Sequence, residues 1–113
     1  MYKTMTVYSL PEGTDPDEFW KYHTQVHALD VKNAAGPLLK KYVVNRVLDV
    51  SSGQPKFFGL IELWWASKEA REEYYGKRVK TFKLASGKTP PEDFASRAIL
   101  GFSVHVEEQE IPL

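Results

Sequence analysis

The chain has no cysteine, which excludes a disulfide framework, a thiolate metal site and a thiol nucleophile. Neither charge is in excess: 15 Lys and Arg stand against 15 Asp and Glu. A nucleic acid therefore finds no electrostatic footprint here, and no nucleic-acid partner is expected. The basic stretch Lys77-Arg78-Val79-Lys80-Thr81-Phe82-Lys83 is more simply the solvated face of a helix. No apolar run is long enough to span a bilayer, and Met1-Tyr2-Lys3-Thr4-Met5-Thr6 lacks the apolar core of a signal peptide, so the expectation is a cytoplasmic protein with no membrane partner. Repeats and low-complexity tracts are absent too. What remains is 113 residues with 42% hydrophobic content, enough for one domain covering 1–113 around its own core.

The most informative segment is Trp20-Lys21-Tyr22-His23-Thr24-Gln25-Val26-His27, with two histidines one helical turn apart. It follows Asp15-Pro16-Asp17-Glu18, a strong helix start in which Asp15 caps the first amides, Pro16 takes the first helical position and Glu18 bonds back to the cap. Helical spacing places Trp20, His23, His27 and Asp30 on roughly one face, with Phe19, Tyr22 and Val26 beside it as an apolar stripe. The histidines then border a buried surface. With an unperturbed pKa near 6.5, imidazole exists in both protonation states at neutral pH.

A first strand is expected over 2–10, a second over the valine-rich stretch 39–50, and a third over 57–65, with Ser51-Ser52-Gly53-Gln54-Pro55 as the hairpin turn between the last two. Ser67 caps a second helix that runs through Tyr75 and stops at Gly76. Residues 77–91 form a long connector, Thr89-Pro90-Pro91-Glu92 begins a short turn, and 99–107 is the last strand. Strand, helix, strand, strand, helix, strand is the ferredoxin-like βαββαβ plan, an α+β fold with helices on one face of an antiparallel sheet. In the third strand Phe57, Gly59, Ile61, Leu63 and Trp65 point one way, and Phe58, Leu60, Glu62 and Trp64 the other. Helices cover one of these apolar faces, so the other is expected to meet a second copy in a homodimer.

The run Phe19-Trp20 with His27-Ala28, followed by Lys41-Tyr42-Val43-Val44-Asn45-Arg46-Val47, resembles the EthD-like family of the dimeric α/β-barrel superfamily. Its members are short, share this element order, and commonly show a helix ending in His-Ala before a Tyr-Val-Val-Asn-Arg strand. Where they often have Pro-Gly before that strand, this chain has Gly36-Pro37. The resemblance implies a dimeric barrel without a cofactor. Similar barrels act as muconolactone-type isomerases, polyketide cyclases, dehydratases and small monooxygenases, and others have no established activity. In such enzymes a histidine matching His27 and a tyrosine matching Tyr42 face the ligand cavity and move protons.

The residues themselves permit the same reading. Tyr42, Val44 and Arg46 share a strand face and are expected to line one cavity with Glu62 and Trp64. His27 is the candidate general acid or base, His23 its tuning neighbour and Tyr42 the donor to a developing oxyanion. Arg46 is the candidate anchor for a substrate anion, or else the partner of Glu62. Phe58, Trp64 and Trp20 are candidate substrate contacts, with dimer core as the alternative for Phe58 and Trp64. Either histidine also suits an axial haem position, and His23, His27 and Asp30 have metal-ligand spacing. The zinc-hydrolase glutamate is missing, so no metal is expected. Two functions follow: a cofactor-independent isomerase, cyclase or dehydratase acting on a small lactone, phenol or polyketide, or a non-catalytic barrel that binds a small ligand and assists an oxidoreductase system of the ether-degrading kind.

Overall fold

The computed structural model describes residues 1–50, 52–53 and 57–113; of the expected hairpin turn, Ser51, Gln54 and Pro55 lie outside the described residues. β1 (Tyr2–Ser9) leads to α1 (Pro16–Tyr22), whose cap is the Asp15 carboxylate accepting the Glu18 N–H. The helix continues through a π turn (His23–His27) into α2 (Ala28–Ala35). The sequence explains that wider turn. Phe19, His23, His27, Val31 and Ala35 are all buried and recur every four residues, a row that drifts by roughly 40° per step around an α-helix. An i→i+5 turn absorbs the drift and keeps the row facing the sheet. Val26, expected in the buried stripe, falls outside this row and is half exposed.

β2 (Leu39–Arg46) and β3 (Gly59–Trp65) follow. Ser67 then caps α3 (Lys68–Glu73) by accepting the Ala70 N–H. The expected stop at Gly76 does not occur. The chain passes through a second π turn (Tyr74–Arg78) into α4 (Val79–Thr81), because Val79 is buried and Arg78 donates to the Ala34 carbonyl at 3.2 Å, tying the added turn to α2. The long connector thus shrinks to residues 82–89. A full capping box between Thr89 and Glu92 starts α5 (Pro90–Ala95), and β4 (Ile99–Val106) closes the chain. Among the described residues no helix is long and apolar enough to cross a membrane.

The strands form one antiparallel sheet in the order β2-β3-β1-β4, the ferredoxin-like arrangement, with the helices packed on one face. Register assigns each side chain to a face, because paired residues in an antiparallel ladder point the same way. Tyr42 pairs with Leu63, Val44 with Ile61 and Arg46 with Gly59, so all three share the helix-covered face. Glu62 pairs with Val43 and Met5 on the opposite face, and Trp64 joins it there.

Two expectations are corrected by this register. Glu62 and Trp64 cannot line a cavity with Tyr42, since the sheet separates them. Phe58 precedes β3, escapes its alternation and packs on the helix side, with ring centroids 5.9 Å from Tyr8 and 5.7 Å from Phe19.

Candidate functional site

The deepest polar group on the helix side is His23, which has no solvent exposure. Its Nδ1 lies 2.7 Å from the Tyr8 hydroxyl and its Nε2 3.3 Å from the Tyr42 hydroxyl. A neutral imidazole has one donor and one acceptor nitrogen. One tyrosine therefore donates to His23 while the other accepts from it. Phe94 of α5 packs against both histidines, edge-to-face with the His23 ring at 4.9 Å between centroids and tilted over that of His27 at 4.5 Å. This apolar cover strips water from the imidazoles. Burial pushes His23 down to about 3, helped by repulsion from His27. It pushes His27 down to about 4, against a weak upward pull from Asp93. Both are neutral at pH 7, contrary to the expectation of a group titrating near neutrality.

His27 differs from His23 in its surroundings. It is 6% exposed and lines a cavity of about 250 Å³ between the helices and the sheet, together with Tyr42, Arg71, Tyr74, Tyr75 and Ser103. Apolar walls come from Val31, Ile61, Leu63 and Phe94. Burial, together with repulsion from Tyr74, raises the Tyr42 phenol well above its ordinary value, so it stays a hydroxyl donor. Both π turns deliver lining residues, His27 from the first and Tyr74 and Tyr75 from the second. Such turns break the regular ladder and are frequent at functional sites. The described residues contain two buried side-chain nitrogen or oxygen atoms without a hydrogen-bond partner, His27 Nδ1 and Arg71 Nε. Both atoms are on residues that line this cavity.

The other expected site residues lie elsewhere. Arg46 pairs with Asp17 at 2.9 Å and lies over the Phe58 ring, rather than meeting Glu62 or the cavity. Trp20 is half-buried against Phe58, 6.5 Å between ring centroids. Glu62 accepts from Lys3 and Asn45. Trp64 lies beneath Lys3 and Lys41, whose ammonium groups are 4.2 and 4.6 Å from its ring, and donates its indole N–H to Glu108. Asp30 does not join the histidines: among the described residues no group of three His, Asp or Glu side chains converges as a metal site. Arg71, Tyr74 and Tyr75 are absent from the expected set. Their signal was present in the sequence, since an Arg with two Tyr one turn later on a Ser67-capped helix places polar groups on a core-facing side.

Comparison with known proteins places the fold. No family model matches the chain, and no curated protein does. Among solved structures it is similar to a protein of the ethyl tert-butyl ether D (EthD) family from Bacillus halodurans C-125, with 22% identity over 96% of this chain and 99% of that one, at a TM-score of 0.70. HapK from Hahella chejuensis aligns over 100% of this chain and 97% of its own, with 12% identity and a TM-score of 0.69. A protein of Arabidopsis thaliana aligns over 100% of both chains with 14% identity and a TM-score of 0.72. At these identities the likeness establishes the architecture.

Proposed function

We propose that the protein is a cofactor-independent enzyme of the isomerase, cyclase or dehydratase type, acting on a small oxygenated ring compound such as a lactone, phenol or polyketide fragment in the cavity beside His27. The observation that carries this reading is His27, a buried residue whose Nδ1 has no hydrogen-bond partner and which lines one cavity with Tyr42. An orphaned polar group costs about 1–3 kcal/mol, a cost a bound ligand relieves. His27 is neutral across the physiological range, the form a base requires. It takes a proton from carbon beside a carbonyl, Tyr42 donates to the resulting enolate oxygen, and His27 returns the proton at another position. His23 and Tyr8 hold Tyr42 in place from behind.

The depressed basicity of His27 favours a second reading, a ligand-binding barrel without turnover. Both readings share the cavity, and product formation separates them.

The reading includes a homodimer. The molecule is a slab 20 Å thick in its shortest dimension, with a solvent-accessible surface of 7497 Å², against about 6,300 Å² for a folded monomer of this mass. Phe102 and Val104 of β4 are 54% and 40% exposed on the face away from the helices. A two-fold axis through that face covers both with one patch.

The test is a thermal-shift panel of lactones and phenolics against the wild type and Ser103→Trp, which fills the cavity from an exposed strand. Ligand at about 100 times its Kd stabilises by about 2.7 kcal/mol. Compounds that stabilise the wild type and lose that effect in Ser103→Trp support the site. Compounds that stabilise both proteins equally place binding elsewhere.

A further inference from the structure

Among the described residues, Arg71 is the one permanently charged side chain lining the cavity, and no carboxylate lines it. Its guanidinium stacks 4.8 Å over the Tyr75 ring. Among the described residues it forms no ion pair, and its Nε is buried without a partner. A half-buried cation in that setting is stabilised by an anion that accepts its N–H groups, more strongly than by a neutral acceptor. The second orphaned atom, Nδ1, is on His27, which lines the same cavity and is 6% exposed. The two polar demands are thus a cation seeking an oxyanion and a neutral imidazole nitrogen seeking a hydroxyl or carbonyl. Around them Val31, Ile61, Leu63 and Phe94 offer apolar walls suited to a ring. An apolar cavity of about 150 Å³ accepts benzene; about 250 Å³ holds one ring with polar substituents.

We infer that the ligand is a single-ring organic anion, an aromatic or enolic carboxylate, whose charged oxygen accepts from Arg71 while a neighbouring oxygen function meets His27. The inference rests on the reading of this cavity as the ligand site. It makes Arg71 the residue that determines ligand charge, the role the sequence pattern had assigned to Arg46. Arg46 is already engaged by Asp17.

The experiment is calorimetric titration of the full chain at pH 7.5 with benzoate and salicylate, and with their neutral isosteres benzamide and salicylamide. The proteins are the wild type, Arg71→Gln and Ser103→Trp, each first shown by thermal melting to be folded. In the wild type the acids are expected to bind at least tenfold more tightly than the amides, with affinity falling as salt rises. Arg71→Gln weakens the acids at least tenfold more than the amides and so removes that preference, and Ser103→Trp abolishes binding of both classes. The inference is overturned if amides match acids in the wild type, if Arg71→Gln keeps the preference, or if no acid binds at millimolar concentration. Equal binding of acids and amides that is lost in Ser103→Trp overturns the ligand charge alone and leaves the site standing. Binding that Ser103→Trp does not touch overturns the inference and the site together.

Discussion

The Tyr8 hydroxyl lies 2.7 Å from Nδ1 of a histidine, His23, that no solvent reaches. Because Tyr42 approaches the other nitrogen, the imidazole is satisfied on both sides and fixes a β1 residue and a β2 residue against the first π turn. Tyr8→Phe removes one partner and strands a buried nitrogen. The expected loss is about 1–3 kcal/mol, read as a lower midpoint in urea unfolding at unchanged slope. Gly59 serves the same arrangement, since a Cβ there would collide with the Tyr8 ring. Gly59→Ala is expected to cost a further about 1–3 kcal/mol by overpacking.

Acid should destabilise the protein earlier than its carboxylates require. His23 and His27 have folded pKa values near 3 and 4, below the unfolded value of about 6.5. Between those limits the unfolded chain binds more protons than the folded one, so stability falls as pH drops below about 6.5. At pH 5 the loss is about 2 kcal/mol per histidine. Asp93, whose upward push from burial is outweighed by hydrogen bonds from Tyr22 and Arg97, has a lowered pKa and contributes only at more acid pH. Urea midpoints measured from pH 7.5 to 5 should show the decline, and His27→Gln should make it shallower.

With a substrate in hand, His27→Ala is expected to lower turnover by about 10²–10⁴-fold, the usual general acid–base contribution. Tyr42→Phe, which removes the oxyanion donor, is expected to lower it by up to about 10³-fold. Rates from both folded variants check this. Full turnover in both would remove His27 and Tyr42 from the reaction and assign the proton transfers to another group.

Sedimentation velocity at micromolar concentration should show a dimer. Phe102→Asp puts an unpaired charge on the exposed β4 face and is expected to yield a folded monomer. A wild-type monomer that binds no hydrophobic dye would contradict the assembly.

Element order was legible in the sequence because each boundary had local chemistry: the Asp15 and Ser67 caps, and the Thr89–Glu92 box. The pairing of His27 with Tyr42 came from the resemblance rather than from spacing or alternation, and both residues line one cavity. Trp64 and Glu62 were misplaced because alternation within a strand says nothing of which face meets which. That depends on the β2–β3 register. Phe58 was misplaced because alternation was extended past the end of β3. The two π turns are invisible to a 3.6-residue period, and with them went Gly76 as a stop and the contribution of Tyr74 and Tyr75. The depressed basicity of the histidines comes from burial, to which Phe94, about 70 residues away in the chain, contributes a cover that no local pattern announces.

Whether the cavity beside His27 is the ligand site can be read from the side-chain nitrogen NMR spectrum of ¹⁵N-histidine-labelled protein titrated with the most strongly stabilising ring compound from the panel. His27 and His23 are expected to give neutral-imidazole signals at pH 6, where His27→Gln assigns the pair, and ligand is expected to move the His27 resonances while those of exposed His105 stay fixed. A His27 that titrates near pH 6.5, or a saturating ligand that leaves its resonances unmoved, would contradict a ligand site there.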